Sequence, residues 1–414
     1  MTESRFQEIE RIIIEQNNWR SSCVNLIASE NVISKKVAAA LSSDFSHRYA
    51  EGHPGKRYYQ GTSKIDSIES MLTEDIKTIF GSVHADVRPI SGTVANESVF
   101  SKLVGYNDIV LVNSTPGGGH ISHHRYGSMG KFTHNILTFP LMPDGYRVNV
   151  EATVKLINTV SPKIVVMGKS LFLHPEPVVE VSEAAHRIGA TVIYDAAHVL
   201  GLIGGGYFQA PLKEGADIVT ASLHKTFFGT QRGVVLSNLE DKEWRKIDRG
   251  VFPGSTSNHH LNTLAAMGLA ACEFLAFGKQ YAKAVTENSK SLALALAEEG
   301  FDVEGKEFGY TMSHQVVVNV ARFGGGAFSA RKLEQNNIIS NFNLLPSDPL
   351  KIVDNPSGIR LGTQEMTRVG MSAKEMKTIA AFFRRILMND ENISGEVAEF
   401  RKQYQKICYS FDEE

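Results

Sequence analysis

Apolar and polar positions follow two rhythms along this chain. In the middle, short unbroken apolar runs recur at Asp108–Asn113 (DIVLVN), Lys163–Met167 (KIVVM), Thr191–Tyr194 (TVIY) and Asp217–Thr220 (DIVT). Runs of this length, rich in Val and Ile, predict buried strands. Val181–Ile188 (VSEAAHRI) has helical spacing and falls between the second and third runs. Strand, helix, strand at this spacing predicts an α/β fold with a parallel or mixed sheet and helices on both faces. After Gly254 the rhythm lengthens. Leu261–Gly278 and Gln280–Gly300 predict two long helices. A β-like run at Gln315–Val320, a break at Gly324–Gly326 and a helix from Ala373 to about Met388 follow. Met1–Gln16 reads as an amphipathic helix rather than a leader, and no apolar run is long enough to cross a bilayer. The expected organisation is an N-terminal helix and arm over 1–50, a large α/β domain over 51–279 and a small α+β domain over 280–414.

Composition narrows the function classes. A hydrophobic fraction of 42% with 21% charged residues is globular rather than disordered. Basic residues number 43 and acidic ones 45, for a net charge of −2. That balance argues against nucleic acid bound by phosphate neutralisation, and against an anionic membrane as partner. Cys23, Cys272 and Cys408 form no framework and no ligand spacing, which predicts a reducing, cytoplasmic setting. The 35 glycines cluster, and such clusters let backbone approach a ligand.

Six segments carry candidate chemistry. In Ala216–Gly229 (ADIVTASLHKTFFG) a strand ends in Ser222, His224 and Lys225. A lysine at the carboxyl edge of a sheet, its amine desolvated, suits attack on a carbonyl; the plainer alternative is a solvated lysine past a strand. In Ile193–Gly201 (IYDAAHVLG) Asp195 follows another strand. A carboxylate and a lysine on neighbouring strand ends are what pyridoxal phosphate requires; a helix cap is the alternative for Asp195. Ser91, Gly92 and Thr93, in PISGTVAN, precede a helix-like segment and form either an anion-binding turn or a simple cap. Thr115–His124 (TPGGGHISHH) offers His120 for stacking; metal binding by His120, His123 and His124 is disfavoured because no carboxylate or Cys stands nearby in sequence. His47–Gly61 (HRYAEGHPGKRYYQG) concentrates Tyr, Glu and Arg in one loop, as a functional loop reaching a neighbouring subunit would. Ser357–Thr363 (SGIRLGT) isolates one Arg in an apolar run, suited to a substrate carboxylate.

These segments, with NLIASEN at Asn25–Asn31, resemble serine hydroxymethyltransferase, a fold-type I pyridoxal-phosphate enzyme family, from about Asn25 to Gly370. SNHHL, TMSHQV and IRLGTQEMTRVGM are similar to the archaeal branch. The resemblance implies a mixed, mostly parallel seven-stranded sheet and a homodimer or higher homo-oligomer with shared sites. Lys225 matches the Schiff-base lysine, Asp195 the partner of the pyridine nitrogen, and His120 the stacked histidine. Ser91, Gly92 and Thr93 match the phosphate turn, with Ser222, His224 and Tyr49 also around the cofactor. Ser170 and His198 match positions near its 3′-oxygen. Arg360 matches the substrate-carboxylate anchor, joined by Ser29, Glu51 and Tyr59. Glu51 matches the proton shuttle. Glu51, Tyr58, Tyr59, Gly119, Ile121 and Asn343 match positions near a reduced pterin. The implied reaction converts serine to glycine and passes the hydroxymethyl carbon to that pterin. Pro116, Ile121, His124, His53, Ser255–His259 and Ser313 depart from folate-using members. They leave tetrahydrofolate and tetrahydromethanopterin both open as carrier. A pterin-independent 3-hydroxy-amino-acid aldolase or transaldolase is the competing reading.

Overall fold

The computed structural model describes residues 2–412; Met1, Glu413 and Glu414 lie outside it. The chain divides into two compact units. One runs from Ser29 to Thr286 and includes Met312–His314 and the stretch from Tyr409. The other comprises the N-terminal stretch to Ala28, Glu287–Thr311 and Gln315–Cys408.

The larger unit is built on a seven-stranded sheet. Its strands are β1 (His84–Asp86), β2 (Val110–Val112), β3 (Ile136–Thr138), β4 (Ile164–Met167), β5 (Thr191–Asp195), β6 (Ile218–Ser222) and β7 (Gly233–Ser237). They lie in the order β1-β7-β6-β5-β4-β2-β3. Strands β3, β2, β4, β5 and β6 are parallel, and β7 and β1 run antiparallel to their neighbours. All four runs expected as strands from the sequence lie in this sheet.

Their unbroken apolar character follows from two buried faces. Leu111, Val165, Val192, Tyr194, Val219 and Ala221 enter one core, with Leu72, Val181, Leu264 and Phe274 from the covering helices. The alternate residues Val110, Val112, Ile164, Val166, Ile193 and Ile218 enter another, with Ala95, Val99, Phe100 and Ile247. Successive side chains point to opposite faces, so both faces are covered only if every position is apolar. The edge strands β1 and β3, partly solvated, escape the sequence reading, and so does β7, although it is buried along its whole length.

One difference from expectation concerns the long helices. Leu261–Glu298 is a single helix of 38 residues, not two. Gly278 costs only about 1 kcal/mol in a helix interior, too little to interrupt a helix anchored in the core by Leu264, Met267 and Phe274. Merged, it is long and apolar enough to cross a membrane, contrary to the reading of separate runs. Yet 56% of its most apolar 18-residue stretch is buried inside the protein, as in a core helix.

The other unit carries β8 (Asp302–Val303), β9 (Gln315–Asn319), β10 (Asn341–Asn343) and β11 (Gly358–Gly362), an antiparallel sheet in the order β8-β9-β11-β10. The helix expected after Met371 spans Ala373–Leu387 and opens with a capping box between Ser372 and Glu375. The N-terminal stretch joins this unit: Val24–Asn25 pairs in parallel with Ile338–Ile339. The Thr2–Ser21 helix buries none of its residues, and Phe6, Ile9, Ile12, Ile13 and Ile14 are exposed.

Candidate active site

Strands β4, β5 and β6 of the larger unit end side by side, and the loops beyond them carry most of the chemistry expected from sequence. Asp195 is the last residue of β5, paired in register with Thr220 of β6. Its carboxylate is buried and heavily partnered. Oδ2 accepts from Asn96 Nδ2 at 2.8 Å and lies 2.9 Å from His123 Nε2. Oδ1 accepts from the backbone N–H of Ala197 at 3.0 Å. Burial alone would raise this carboxyl, but the hydrogen bond and charge of His123, aided by His120 and Asn96, hold it well below the usual carboxylate range. Asn96 is in turn fixed by the Thr220 hydroxyl, which donates to its Oδ1 at 2.5 Å. Close approach at this point needs glycine. Gly168, just past β4, has φ +105°, and a Cβ there would stand 2.1 Å from the Asp195 carbonyl oxygen.

The three histidines of TPGGGHISHH separate rather than converge. His120 is half-buried, with Nδ1 2.6 Å from Ser122 Oγ. His123 is buried against Asp195, and the two rings stand edge-on with centroids 6.1 Å apart. His124 Nε2 lies 3.0 Å from the Asn113 carbonyl, and burial followed by the charge of His123 lowers its pKa. The three glycines before them serve the chain itself. Added Cβ atoms would strike Leu141 from Gly117, the Leu171 carbonyl from Gly118 and the Asn113 carbonyl from Gly119. Their small size is therefore explained by backbone packing; Ile121 beside them is 49% exposed. Ser170 follows on the neighbouring strand end, its N–H donating to the Gly118 carbonyl at 2.7 Å.

Ser91, Gly92 and Thr93 open the Gly92–Leu103 helix. Ser91 is its N-cap, accepting from Val94 N at 3.2 Å. The turn lies against the end of β6: a Cβ on Gly92 would stand 2.4 Å from Ser222 Oγ. Serine hydroxyls and helix N–H groups thus share one spot, which suits an anion. His224 follows Ser222. Burial, then the charge of Lys225 beside it, pushes its pKa down to about 4. Its Nδ1 is buried without a hydrogen-bond partner. Lys225 is half-buried, and its carbonyl accepts from Asn31 Nδ2 at 2.6 Å. His198 is buried; its carbonyl accepts from the Thr226 hydroxyl at 2.8 Å, and its ring stacks on His314 at 5.8 Å.

The His47–Gly61 loop stands apart as an exposed cluster. Tyr49 and Tyr59 rings approach to 5.5 Å, the Tyr59 hydroxyl lies 3.5 Å from Glu51 Oε2, and Ser257 Oγ donates to Glu51 Oε1. Slight desolvation, then the Glu51 charge, raises the Tyr59 phenol. Tyr58 is 77% exposed. Beneath this tip the loop is bolted down. Arg57 donates to Asp66 at 2.8 Å and Glu69 at 2.7 Å, and His259 reaches Glu69 at 2.9 Å, all four residues being largely buried.

Ser29 is half-buried in the turn that opens the larger unit. Arg360 and Asn343 belong to the other unit. Arg360, on β11, is buried beside Asn341, whose Oδ1 lies 3.4 Å from its Nε and Nη2. Burial lowers its guanidinium to about 10. Asn343, on β10, donates to the Leu344 carbonyl at 2.7 Å. Sequence reasoning missed Asn96, His123 and Asn31 as site residues. Their only local mark is position: Asn96 stands three residues after Thr93 and His123 three residues after His120.

Comparison with known proteins identifies the family. A family model described as serine hydroxymethyltransferase matches residues 3–383. A protein named serine hydroxymethyltransferase from Pyrococcus abyssi is 49% identical over 97% of this chain and 95% of its own length. One of the same name from Methanobrevibacter smithii is 46% identical over 98% of this chain and 96% of its own. The crystal structure of L-threonine transaldolase from Pseudomonas fluorescens matches with a TM-score of 0.88 at 26% identity, covering 100% of this chain and 96% of that one. The family's cofactor is pyridoxal phosphate, and the residues here fit it: a serine-lined helix N-terminus for the phosphate, a buried carboxylate kept ionised, an unpartnered buried His224 nitrogen, and a lysine on the adjacent strand end. With fold, site and relatives in agreement, the chain belongs to the serine hydroxymethyltransferase family.

Proposed function

We infer that this site converts L-serine and glycine reversibly, passing the hydroxymethyl carbon to a tetrahydropterin, with the named side chains in the following roles. The observation that carries the reading is the Asp195 carboxylate, buried, triply hydrogen-bonded and one strand from Lys225. Such a carboxylate keeps a facing pyridine nitrogen protonated. Bound pyridoxal phosphate then supplies the electron sink for breaking the Cα–Cβ bond of serine. Ser91, Gly92, Thr93, Ser222 and His224 hold its phosphate, Lys225 its aldehyde, and His120, Ser170 and His198 flank its ring.

Arg360 binds the substrate carboxylate. Its buried guanidinium gains most from a fork onto a carboxylate because burial leaves it poorly solvated. Ser29 and Tyr59 also contact the substrate. Glu51 moves the proton at the hydroxymethyl oxygen and the pterin nitrogen. Tyr58, Gly119, Ile121 and Asn343 line the carrier's place. The exposed Tyr49–Glu51–Tyr59 cluster supports a loop that completes a second subunit's site, hence a homodimer or larger assembly. A cytoplasmic location fits the free cysteines.

The test is a steady-state assay of serine cleavage with tetrahydrofolate and tetrahydromethanopterin offered in parallel. One of them should accelerate glycine formation strongly; acceleration by neither would sink the reading. The likeness to a transaldolase favours a second activity, pterin-free cleavage of 3-hydroxy amino acids. The same assay without pterin, given threonine, measures it.

A further inference from the structure

A cluster of five basic residues lies at the opposite end of the helix that opens at Ser91. The Asp241–Arg249 helix sorts its charges. Lys242, Arg245, Lys246 and Arg249 stand at i, i+3, i+4 and i+7, which is one face. The helix's acids mostly turn away from that face. Asp248 accepts from Arg88 and lies 3.2 Å from His53. Asp241 lies 3.5 Å from His84, whose ring stacks on Trp244 at 5.0 Å. Ile247 anchors the helix in the core. Only Glu243 reaches back, to Lys246 at 2.6 Å in a solvent-exposed pair.

Lys102, in the last turn of the Gly92–Leu103 helix, forms the facing wall. Gly250 permits this approach: a Cβ there would stand 2.2 Å from the Ser98 carbonyl and 2.9 Å from Lys102 Cγ. Between them lies a cavity of about 400 Å³ lined by Lys102, Lys242, Arg245, Lys246 and Arg249. Among the described residues, no acid and no aromatic ring joins that lining. Like charges three and four residues apart repel on a helix, and here five cations converge on one hollow. The chain's net charge of −2 conceals this local excess.

We propose that this basin binds a compact polyphosphate, a di- or triphosphate chain free or carried on a nucleoside. Arg245 and Arg249 offer planar forks to phosphate oxygens, and the lysines add point charges. Convergence on one hollow suits a short, dense anion. A single nucleic-acid strand is held instead by a track of cations interleaved with aromatic platforms, which this lining lacks. The basin is separate from the cofactor's phosphate turn: ten helical residues part Gly92 from Lys102, a rise of about 15 Å. The proposal does not depend on which pterin is the carrier.

The test uses the holoenzyme, so that the cofactor's own phosphate site is filled. Inorganic triphosphate is titrated calorimetrically at low salt, then ATP without divalent metal, then a single-stranded oligonucleotide. One triphosphate per chain should bind saturably, with ATP at least as tight, and raising salt should weaken both. The double variant Lys242→Gln/Arg245→Gln should lose at least tenfold in affinity while keeping the cofactor absorbance and serine turnover. Lys102→Gln, on a different helix, should lose affinity as well and covers the case in which the double variant folds poorly. Absence of saturable triphosphate binding, unchanged affinity in the variants, or tighter binding of the oligonucleotide than of triphosphate would overturn the proposal.

Discussion

The Asp195 pocket and the Glu51 loop belong to the same unit and to the same proposed reaction, yet they are built by opposite means. Asp195 is 6% exposed, both carboxylate oxygens accept hydrogen bonds, and the Asn96 donor is itself held by Thr220. Glu51 is half-buried at the tip of a loop whose tyrosines are 40–77% exposed. In the pocket, the partners that tune charge are buried side chains of the helix and turn packed against the sheet, so the electrostatics are finished when the chain folds. At the tip, only the base of the loop is finished, by the buried Arg57–Glu69–His259 cluster. A group that must hold its charge is buried and saturated with hydrogen bonds. A group that must exchange a proton with an incoming substrate is left open on a rigid stem.

Breaking the pocket should have the largest effect. Lys225→Ala should abolish turnover and remove the absorbance near roughly 420 nm that a lysine-bound cofactor gives; a spectrum from the purified variant checks this. Glu51→Gln comes next. It should keep that band and slow the pterin-dependent step by roughly 100- to 10,000-fold, the range for loss of a general acid–base. Single-turnover kinetics with pterin measure it, and a changed band would show that loop and pocket are coupled. Arg57→Met attacks the stem. Its side chain is 1% exposed between Asp66 and Glu69. Removing it strips Asp66 of its charged partner and leaves Glu69 with His259 alone, and should cost about 3 kcal/mol of unfolding free energy, read from urea denaturation.

The same contrast explains what the sequence could reveal. Strands β2, β4, β5 and β6 were legible because both faces are buried and their runs are rich in Val and Ile; β7, equally buried, begins at a Gly after a run of polar residues and was not read. The positions of Lys225 and Asp195 were legible because strand ends are marked by a change from apolar to small polar residues, and that of Ser91–Thr93 because small polar residues precede a helical run. His123 and Asn96 were not, because nothing local distinguishes a residue that holds a carboxylate from one that caps a helix; the partner is 72 and 99 positions away. The glycines at 117–119 were visible but carry a different meaning, since the atoms they make room for are the chain's own. The 38-residue helix was divided at Gly278 because propensity is local and core packing is not.

A pH series sharpens the comparison further. His224 has its folded pKa pushed down to about 4 by burial and by Lys225, against about 6.5 in an unfolded chain. Between these values the unfolded chain binds the proton and the folded one does not, so stability rises with pH there. Its contribution is complete above about 6.5 and declines as pH falls toward 4. Denaturation of cofactor-free protein across that window should show the slope, and His224→Gln should reduce it, the remainder coming from His124, His174 and His259, which burial also lowers. Glu51→Gln should leave it unchanged.

The smallest effect tests whether the loop tip is organised at all before substrate arrives. Ser257 Oγ donates to Glu51 Oε1, and both groups face solvent. A hydrogen bond to a charged acceptor is worth about 1.5–3 kcal/mol at best, and solvent exposure cuts that sharply. Ser257→Ala should therefore change unfolding free energy by less than about 0.5 kcal/mol and leave the cofactor spectrum unchanged. What it removes is a restraint on where the carboxylate points. If Glu51 is pre-aimed by Ser257, kcat should fall by two- to fivefold with the KM for serine nearly constant, because misorientation acts at the proton-transfer step. If Glu51 is aimed only by the incoming substrate, kcat should be unchanged. A fall in kcat would place the tip on the same preorganised footing as the Asp195 pocket and narrow the contrast between them to one of burial alone.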